Sequence, residues 1–391
     1  MIFTTWLYGF FLPVVAAVTW LLPPRARPAW LIGAGFVFYA HYHPPHLPLI
    51  VGLTALVYAL ARAGVRWRRG ALALGSALAL GVLAYYKYTG FLLGALGVDP
   101  SALSARGLVP ARPPLAISFF VFEFVHYLIE VRRGTIAPGR PRDFLLFILF
   151  FPTLISGPIK RYADFQPQIG RAQRLDAASL AEGLERILYG LAKKLLVADT
   201  VYRLTGAVWT RPLEQPVWVL WLATYGYAVH ILFDFSGYSD IAIGSARLLG
   251  FRVPENFAYP YAQPNLSRFW GAWHMSLTSW IRDYVYVPLG GNRRGPWRAA
   301  VNRLVAMALC GLWHGAAGHF VLWGVYHGVG LNAYHAYQAL RARLWPSLDA
   351  GWAGRAAGTV LTFHFVCIGW VLFVLDARTA LAVIARLVGV Q

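Results

Sequence analysis

The sequence predicts an all-α, polytopic integral membrane protein with about ten to twelve transmembrane or re-entrant helices around a buried central tunnel. Three observations carry that expectation. Of 391 residues, 58% are hydrophobic and 13% charged, whereas soluble proteins carry roughly 25% charge. Basic residues are dispersed in short loops between apolar runs, the pattern of positive-inside topology. Several apolar runs are interrupted by ionisable side chains or Gly and Pro, which membrane depth tolerates where the segment is buried in protein or lines a cavity. The formal charge of +19 therefore reads as topology, and no nucleic-acid partner is expected. Sixteen tryptophans and 21 tyrosines suit rings at the headgroup level. Cys310 and Cys367 fall within apolar runs, so no disulfide framework is implied.

The elements follow in order. Ile2 to Leu22 lacks a positive n-region and a small-residue cleavage site, and reads as a retained helix. Arg25 and Arg27 follow it. Residues 29–61 form a helical hairpin with the tip H-Y-H-P-P-H (His41 to His46), followed by Arg62, Arg66, Arg68 and Arg69. Placing both arginine clusters in the cytoplasm puts the N-terminus and the tip outside. Ala71 to Gly97 runs outward, Val98 to Arg112 is an outer loop, Leu115 to Val131 returns, and R-R-G-T-I-A-P-G-R-P-R lands inside. Residues 1–112 are thus N-terminal transmembrane helices, 113–375 a core and 376–391 a C-terminal helix. Three imidazoles within six residues at the tip invite a metal reading. Pro44 and Pro45 break any helical spacing and no Cys or carboxylate is near, so a polar turn is preferred and no metal site is expected.

The returning helix carries Glu123, His126 and Glu130. Ionisable groups at membrane depth are functional by default, yet those near a helix end can pair with Arg132 or Arg133. Function and structure are evenly matched for Glu123; structure leads for the other two. Asp143 to Pro158 is apolar but interrupted by Pro152, Gly157 and Pro158, a broken or re-entrant helix leading into Lys160 and Arg161. An amphipathic helix from Asp176 to Trp209 contains Lys193 and Lys194. Leu213 to Gly250 holds His230, Asp234 and Asp240, acids that either bond a kinked helix, the preferred reading, or join a polar tunnel.

The chain is organised around Asn265 to Gly315. Leu266, Phe269, Trp270, Trp273, Leu277, Trp280, Ile281 and Tyr284 recur at helical spacing, while Arg268, Arg282 and Asp283 forbid a lipid-facing span. The expectation is an interfacial helix on the cytoplasmic side with His274 at the edge of its apolar stripe. A basic turn, Gly290 to Arg298, comes next, then a helix from Ala299 to Trp313. Those fifteen positions rise roughly 22 Å, short of the ~30 Å hydrocarbon core, which leaves His314 inside the protein. Burial keeps an imidazole neutral, and a neutral imidazole can take a proton from an attacking hydroxyl. From burial alone, a histidine satisfied by backbone carbonyls is the more ordinary reading. Ala316 to Leu340 forms a helix with His319, His327 and His335; 353–375 and 379–390 form a final pair.

Several motifs carry a family resemblance: R-F-W-x-x-W-H-M-S-L, W-I-R-D-Y-V-Y-V-P-L-G-G-N-R, G-L-W-H-G and V-L-W-G-V-Y-H-G. Upstream lie I-S-F-F-V-F-E, F-P-T-L-I-S-G-P-I-K-R-Y and F-D-F-S-G-Y-S-D-I-A-I-G. From about residue 115 to 375 the chain resembles the bacterial branch of the membrane-bound O-acyltransferases, which includes alginate O-acetyltransferases and the teichoic acid D-alanyl transfer protein. The resemblance implies that His314 is the catalytic base and His274 a second functional histidine, orienting or binding the donor. It places substrate-binding positions at Trp273, Trp313, Asp240, Arg282, Asp283, Asn292 and His327. It implies an enzyme of the bacterial cytoplasmic membrane that moves an acyl group, acetyl or alternatively D-alanyl, from a cytoplasmic donor to an extracytoplasmic polysaccharide or envelope glycan. No bound cofactor is expected; the donor is acetyl-CoA or an acyl carrier protein. Expected partners are membrane lipid, an extracytoplasmic acyltransferase or glycan-binding protein, and an acidic carrier attracted by Lys160, Arg161, Arg293, Arg294 and Arg298. Gly318, and F-V-L-D from Phe373, depart from the family pattern. A transporter would also explain broken helices and buried acids, but W-H with W-H-G has no transport rationale; a silent scaffold is the remaining alternative.

Overall fold

The structure, a computed structural model, describes residues 3–42, 44–67, 70–110, 113–170, 176–345 and 351–390. His43, Arg68, Arg69 and Arg112 lie outside them. Every regular element among the described residues is helical. Among the described residues four helical stretches are long and apolar enough to cross a membrane: Pro44–Gly64, Gly70–Ala95, Val217–Leu248 and Gly351–Val374. Two compact units emerge, Met1–Leu191 with Gly237–Pro254, and Ala192–Ser236 with Glu255–Gln391.

The first unit begins with α1 (Trp6–Leu21), then α2 (Arg27–Tyr42) and α3 (Leu47–Trp67) as the expected hairpin. There follow α4 (Gly70–Leu83), a π turn, α5 (Thr89–Ala95), short α6 (Pro100–Ala105) and α7 (Ile117–Arg133). Next, α8 (Pro141–Leu149) breaks into α9 (Phe151–Leu154). Pro152 has no N–H for the Ile148 carbonyl and its ring crowds that turn, so Phe150 becomes extended (φ −67°, ψ 95°). Leu146 through Phe151 are wholly buried, which meets the condition for irregular backbone in a membrane protein. After α10 (Tyr162–Phe165), α11 (Ala177–Leu191) lies against the end of α13 (Val217–Leu248). Gly183 and Gly190 on one helix face Gly244 and Gly237 on the other. A Cβ on Gly190 would lie 2.5 Å from the Gly237 carbonyl oxygen, the small-residue contact typical of membrane helices.

Several ionisable residues of this unit are paired. Lys160 Nζ meets Glu123 at 2.5 Å with both side chains buried, and lies 4.6 Å above the Phe147 ring. His126 Nε2 accepts the Tyr162 N–H at 2.9 Å, fixing the start of α10, and Glu130 pairs with Arg133. Arg186 meets Asp240 at 2.7 Å beside the glycine crossing. One expectation is thereby corrected: Lys160 is buried against the Glu123 carboxylate and cannot draw in an anionic donor. Asp240, expected among substrate-binding positions, pairs with Arg186 between α11 and α13.

In the second unit a π-helical segment, Ala192–Ala198, leads into α12 (Asp199–Thr205) and then into α13, so the expected amphipathic helix is interrupted. Lys194 bridges Asp199 and Asp234 at 2.6 Å each, and His230 Nδ1 meets the Ala198 carbonyl at 3.1 Å; both residues thus hold helices together. The remaining elements are α14 (Leu266–Ala272), α15 (Met275–Ile281), a π turn at Arg282–Tyr286, α16 (Gly295–His314), α17 (Gly318–Leu344), α18 (Gly351–Val374) and α19 (Ala377–Leu387). Helix α16 starts four residues earlier than expected, with Pro296 in its first turn. Its 20 residues rise roughly 30 Å, so a short helix does not set the depth of His314.

Candidate active site

The Trp-His dipeptide breaks a helix. The expected single segment through His274 is two helices, and His274 sits between them in the left-handed region (φ 43°, ψ 53°), a conformation costing a non-glycine residue on the order of 1–3 kcal/mol. Neighbouring extended chain holds it there. Ala258 N–H bonds the Ala272 carbonyl at 3.0 Å, and Met275 N–H bonds the Asn256 carbonyl at 2.9 Å. The buried Asn256 side chain accepts from Ser276 Oγ at 2.6 Å and from Ser276 N–H at 3.4 Å. Asn256 was not singled out by the sequence, and nothing in the stretch from Arg252 to Phe257 marks it out. The His274 side chain is 1% exposed. Its ring packs edge-on to Phe235 at 4.6 Å and 6.0 Å from Trp313.

Helices α16 and α17 make a tight hairpin that carries the second histidine. A Cβ on Gly311 would strike the Phe320 carbonyl, one on Gly324 the Met307 carbonyl, and one on Gly315 the Phe320 ring. The glycines flanking His314 are therefore packed surfaces. His314 is the last residue of α16 and is half-buried. Its ring contacts Trp313 at 4.9 Å, Trp323 at 5.3 Å and Phe373 at 5.2 Å. His274 and His314 thus share Trp313 as a common wall.

His327 lies one turn beyond Trp323 on α17, wholly buried. Rings of Trp270, Trp323 and Phe365 enclose it at 5.1, 4.9 and 5.6 Å. Among the described residues neither of its ring nitrogens has a partner, and the same holds for Nε1 of Trp270 and of Trp323. Each such orphan costs about 1–3 kcal/mol, so four in one place call for a partner that the surrounding side chains do not supply. Trp273 joins this network through Trp370 at 4.9 Å, which stacks on Trp323 at 5.8 Å. Trp270 and Trp323 were absent from the expected site, although Trp323 precedes His327 by one helical turn within V-L-W-G-V-Y-H-G.

The basic turn is built separately. Arg282 pairs with its neighbour Asp283 at 2.9 Å. Asn292 accepts from Tyr286 Oη at 2.5 Å, and buried Asn302 donates to the Gly291 carbonyl at 3.0 Å. Arg293, Arg294, Trp297 and Arg298 are exposed there. The structure therefore brings together His274, Trp273, Trp313, His314 and His327, while Arg282, Asp283 and Asn292 shape the turn. No group of three or more His, Cys, Asp or Glu side chains with metal-binding arrangement occurs among the described residues.

A half-buried imidazole at a helix end, backed by a strained second histidine in an aromatic box, suits proton abstraction from a hydroxyl. The chain belongs to the membrane-bound O-acyltransferase family, whose model matches residues 120–374, and it is an acyltransferase. It is similar to a protein named probable alginate O-acetylase AlgI from Pseudomonas syringae pv. tomato, 37% identical over 95% of this chain and 72% of that one. A peptidoglycan O-acetyltransferase of Helicobacter pylori is 29% identical, covering 100% of this chain and 80% of its own length. A teichoic acid D-alanyltransferase of Bacillus subtilis is 33% identical over 68% of this chain and 71% of that one.

Proposed function

We propose that this enzyme carries an acyl group, acetyl in preference to D-alanyl, from a cytoplasmic donor across the bacterial inner membrane to hydroxyls of an extracytoplasmic polysaccharide or envelope glycan. The observation that carries the reading is the shared ring wall at Trp313, which brings both Trp-His histidines into one cluster at the end of α16. His314 takes the proton of the attacking hydroxyl, and His274, locked by Asn256, orients the donor. Trp273, Trp313 and His327 line the acyl end, while Arg282, Asp283 and Asn292 with the exposed arginines of the turn receive the donor. An anionic donor, acetyl-CoA or an acidic acyl carrier protein, suits those charges. The acetyl preference is supported by relatives named for O-acetylation that match nearly the whole chain. The D-alanyl reading keeps support from the 33% identical D-alanyltransferase. The N-terminus lies outside, as the arginine clusters favour, and an extracytoplasmic protein holds the glycan, because the outer loops are short among the described residues.

Purified enzyme in liposomes, given labelled acetyl-CoA or a D-alanyl carrier protein in separate reactions, tests this. Label transfer from acetyl-CoA is the expected result. Transfer from the D-alanyl carrier alone would reverse the preference, and solute flux without acyl transfer would overturn the reading.

A further inference from the structure

The mechanism above uses one base and leaves a second requirement unmet. When a hydroxyl adds to an acyl carbonyl, the carbonyl oxygen becomes negative and needs hydrogen-bond donors placed in advance. Next to His314 the structure holds buried donors that serve no other group among the described residues. Trp323 is wholly buried, Trp270 is 6% exposed, and His327 is wholly buried. Nε1 of Trp270, Nε1 of Trp323 and both ring nitrogens of His327 are without partners. The three rings touch one another, at 5.7 Å for Trp270 and Trp323, 5.1 Å for Trp270 and His327, and 4.9 Å for Trp323 and His327. Trp323 also stands edge-on to His314 at 5.3 Å.

The chemistry of this set is one-sided. An indole N–H only donates, and a neutral imidazole has one donor and one acceptor. The cluster therefore offers three donors against a single acceptor, which selects an oxygen rich in lone pairs. We infer that Trp323 and Trp270, with His327, form the site that stabilises the acyl oxygen as it turns anionic during transfer. The inference rests on His314 acting as base. The acceptor hydroxyl gives its proton to His314 while its oxygen bonds the acyl carbon. The electron pair of the C=O moves to the oxygen held by the indole N–H groups. When that pair returns, the carbon–sulfur bond of the thioester breaks and the thiolate leaves with the proton from His314. A water molecule satisfies the same donors, so the experiment must separate the two occupants.

Trp323→Phe and Trp270→Phe keep a ring and remove the N–H. Each purified variant is assayed for thiol release from acetyl-CoA and for p-nitrophenolate release from p-nitrophenyl acetate, with melting followed in parallel. Removing one donor from such a site typically lowers kcat about 10²-fold. At least one variant should show a loss of that order on both probes, with KM within about twofold because the bond strengthens only as charge develops, and with melting no lower than wild type. Wild-type kcat in both variants would show that the donors hold only water and would overturn the inference. A fall in kcat that tracks a fall in melting in both variants would assign the rings to packing and overturn it equally. If wild-type enzyme turns over the ester but not acetyl-CoA, the donor reading fails, while the ester data still decide the role of the two tryptophans.

Discussion

Replacing Glu123 with glutamine removes one charge and almost no volume from the first unit, which makes it the clearest test of how that unit is held. Lys160 Nζ lies 2.5 Å from the carboxylate, with the lysine side chain 2% and the glutamate side chain 7% exposed. Removing one partner of such a pair strands a buried charge and costs about 3–5 kcal/mol. The amide oxygen can still accept from Nζ, and the Phe147 face remains 4.6 Å away, so the lower end of that range is expected. At ~2–4 °C per kcal/mol for a unit of roughly 200 residues, melting should fall by about 6–12 °C in detergent, followed by fluorescence-detected size exclusion after heating. The double variant Glu123→Gln with Lys160→Met removes the stranded cation and should recover most of the loss. Acyl transfer per folded molecule should change by less than about twofold, since the pair only holds α7 to the chain after α9. Melting within ~2 °C of wild type, or abolished transfer with normal melting, would refute this reasoning.

His314→Gln keeps a half-buried polar group yet removes the base, so turnover should drop by about 10² to 10⁴ with melting near wild type; retention of more than roughly a tenth of the rate would make His314 structural. Asn256→Ala should release the left-handed His274, lowering transfer and costing about 1–3 kcal/mol of stability, whereas Asn256→Asp keeps the acceptor for Ser276 and should retain activity. Equal activity in the two variants would show that the break at His274 needs no side-chain support. For topology, a cysteine at position 44 should react with an impermeant maleimide in intact cells and one at position 294 should react after permeabilisation, as expected when dense arginine clusters stay in the cytoplasm. The opposite pattern would invert the orientation.

Much of the fold was legible because it depends on local properties. Apolar runs give helices, and Pro152 stops α8 wherever the segment sits, because a missing N–H is a fact about one residue. The hairpin from α2 to α3 and the family motifs around His274 and His314 were legible for the same reason. Partnerships distant in the chain were not. Glu123 left function and structure balanced until Lys160, 37 residues on, was seen beside it, and Asp240 carried no sign of Arg186, which a glycine crossing brings within 2.7 Å. The stripe through Trp273 and His274 predicted one helix, but backbone bonds from Ala258 and Asn256 outcompeted helical continuation, a contest that periodicity does not encode. Trp323 looked like an ordinary apolar helix residue until folding enclosed its indole N–H with those of Trp270 and His327. The sequence by itself determined which residues could do acyl chemistry and which segments belong in a membrane. The tertiary structure decided which of those polar groups satisfy one another and which are left without a partner among the described residues, because burial and pairing are properties of contacts made by segments far apart in the chain.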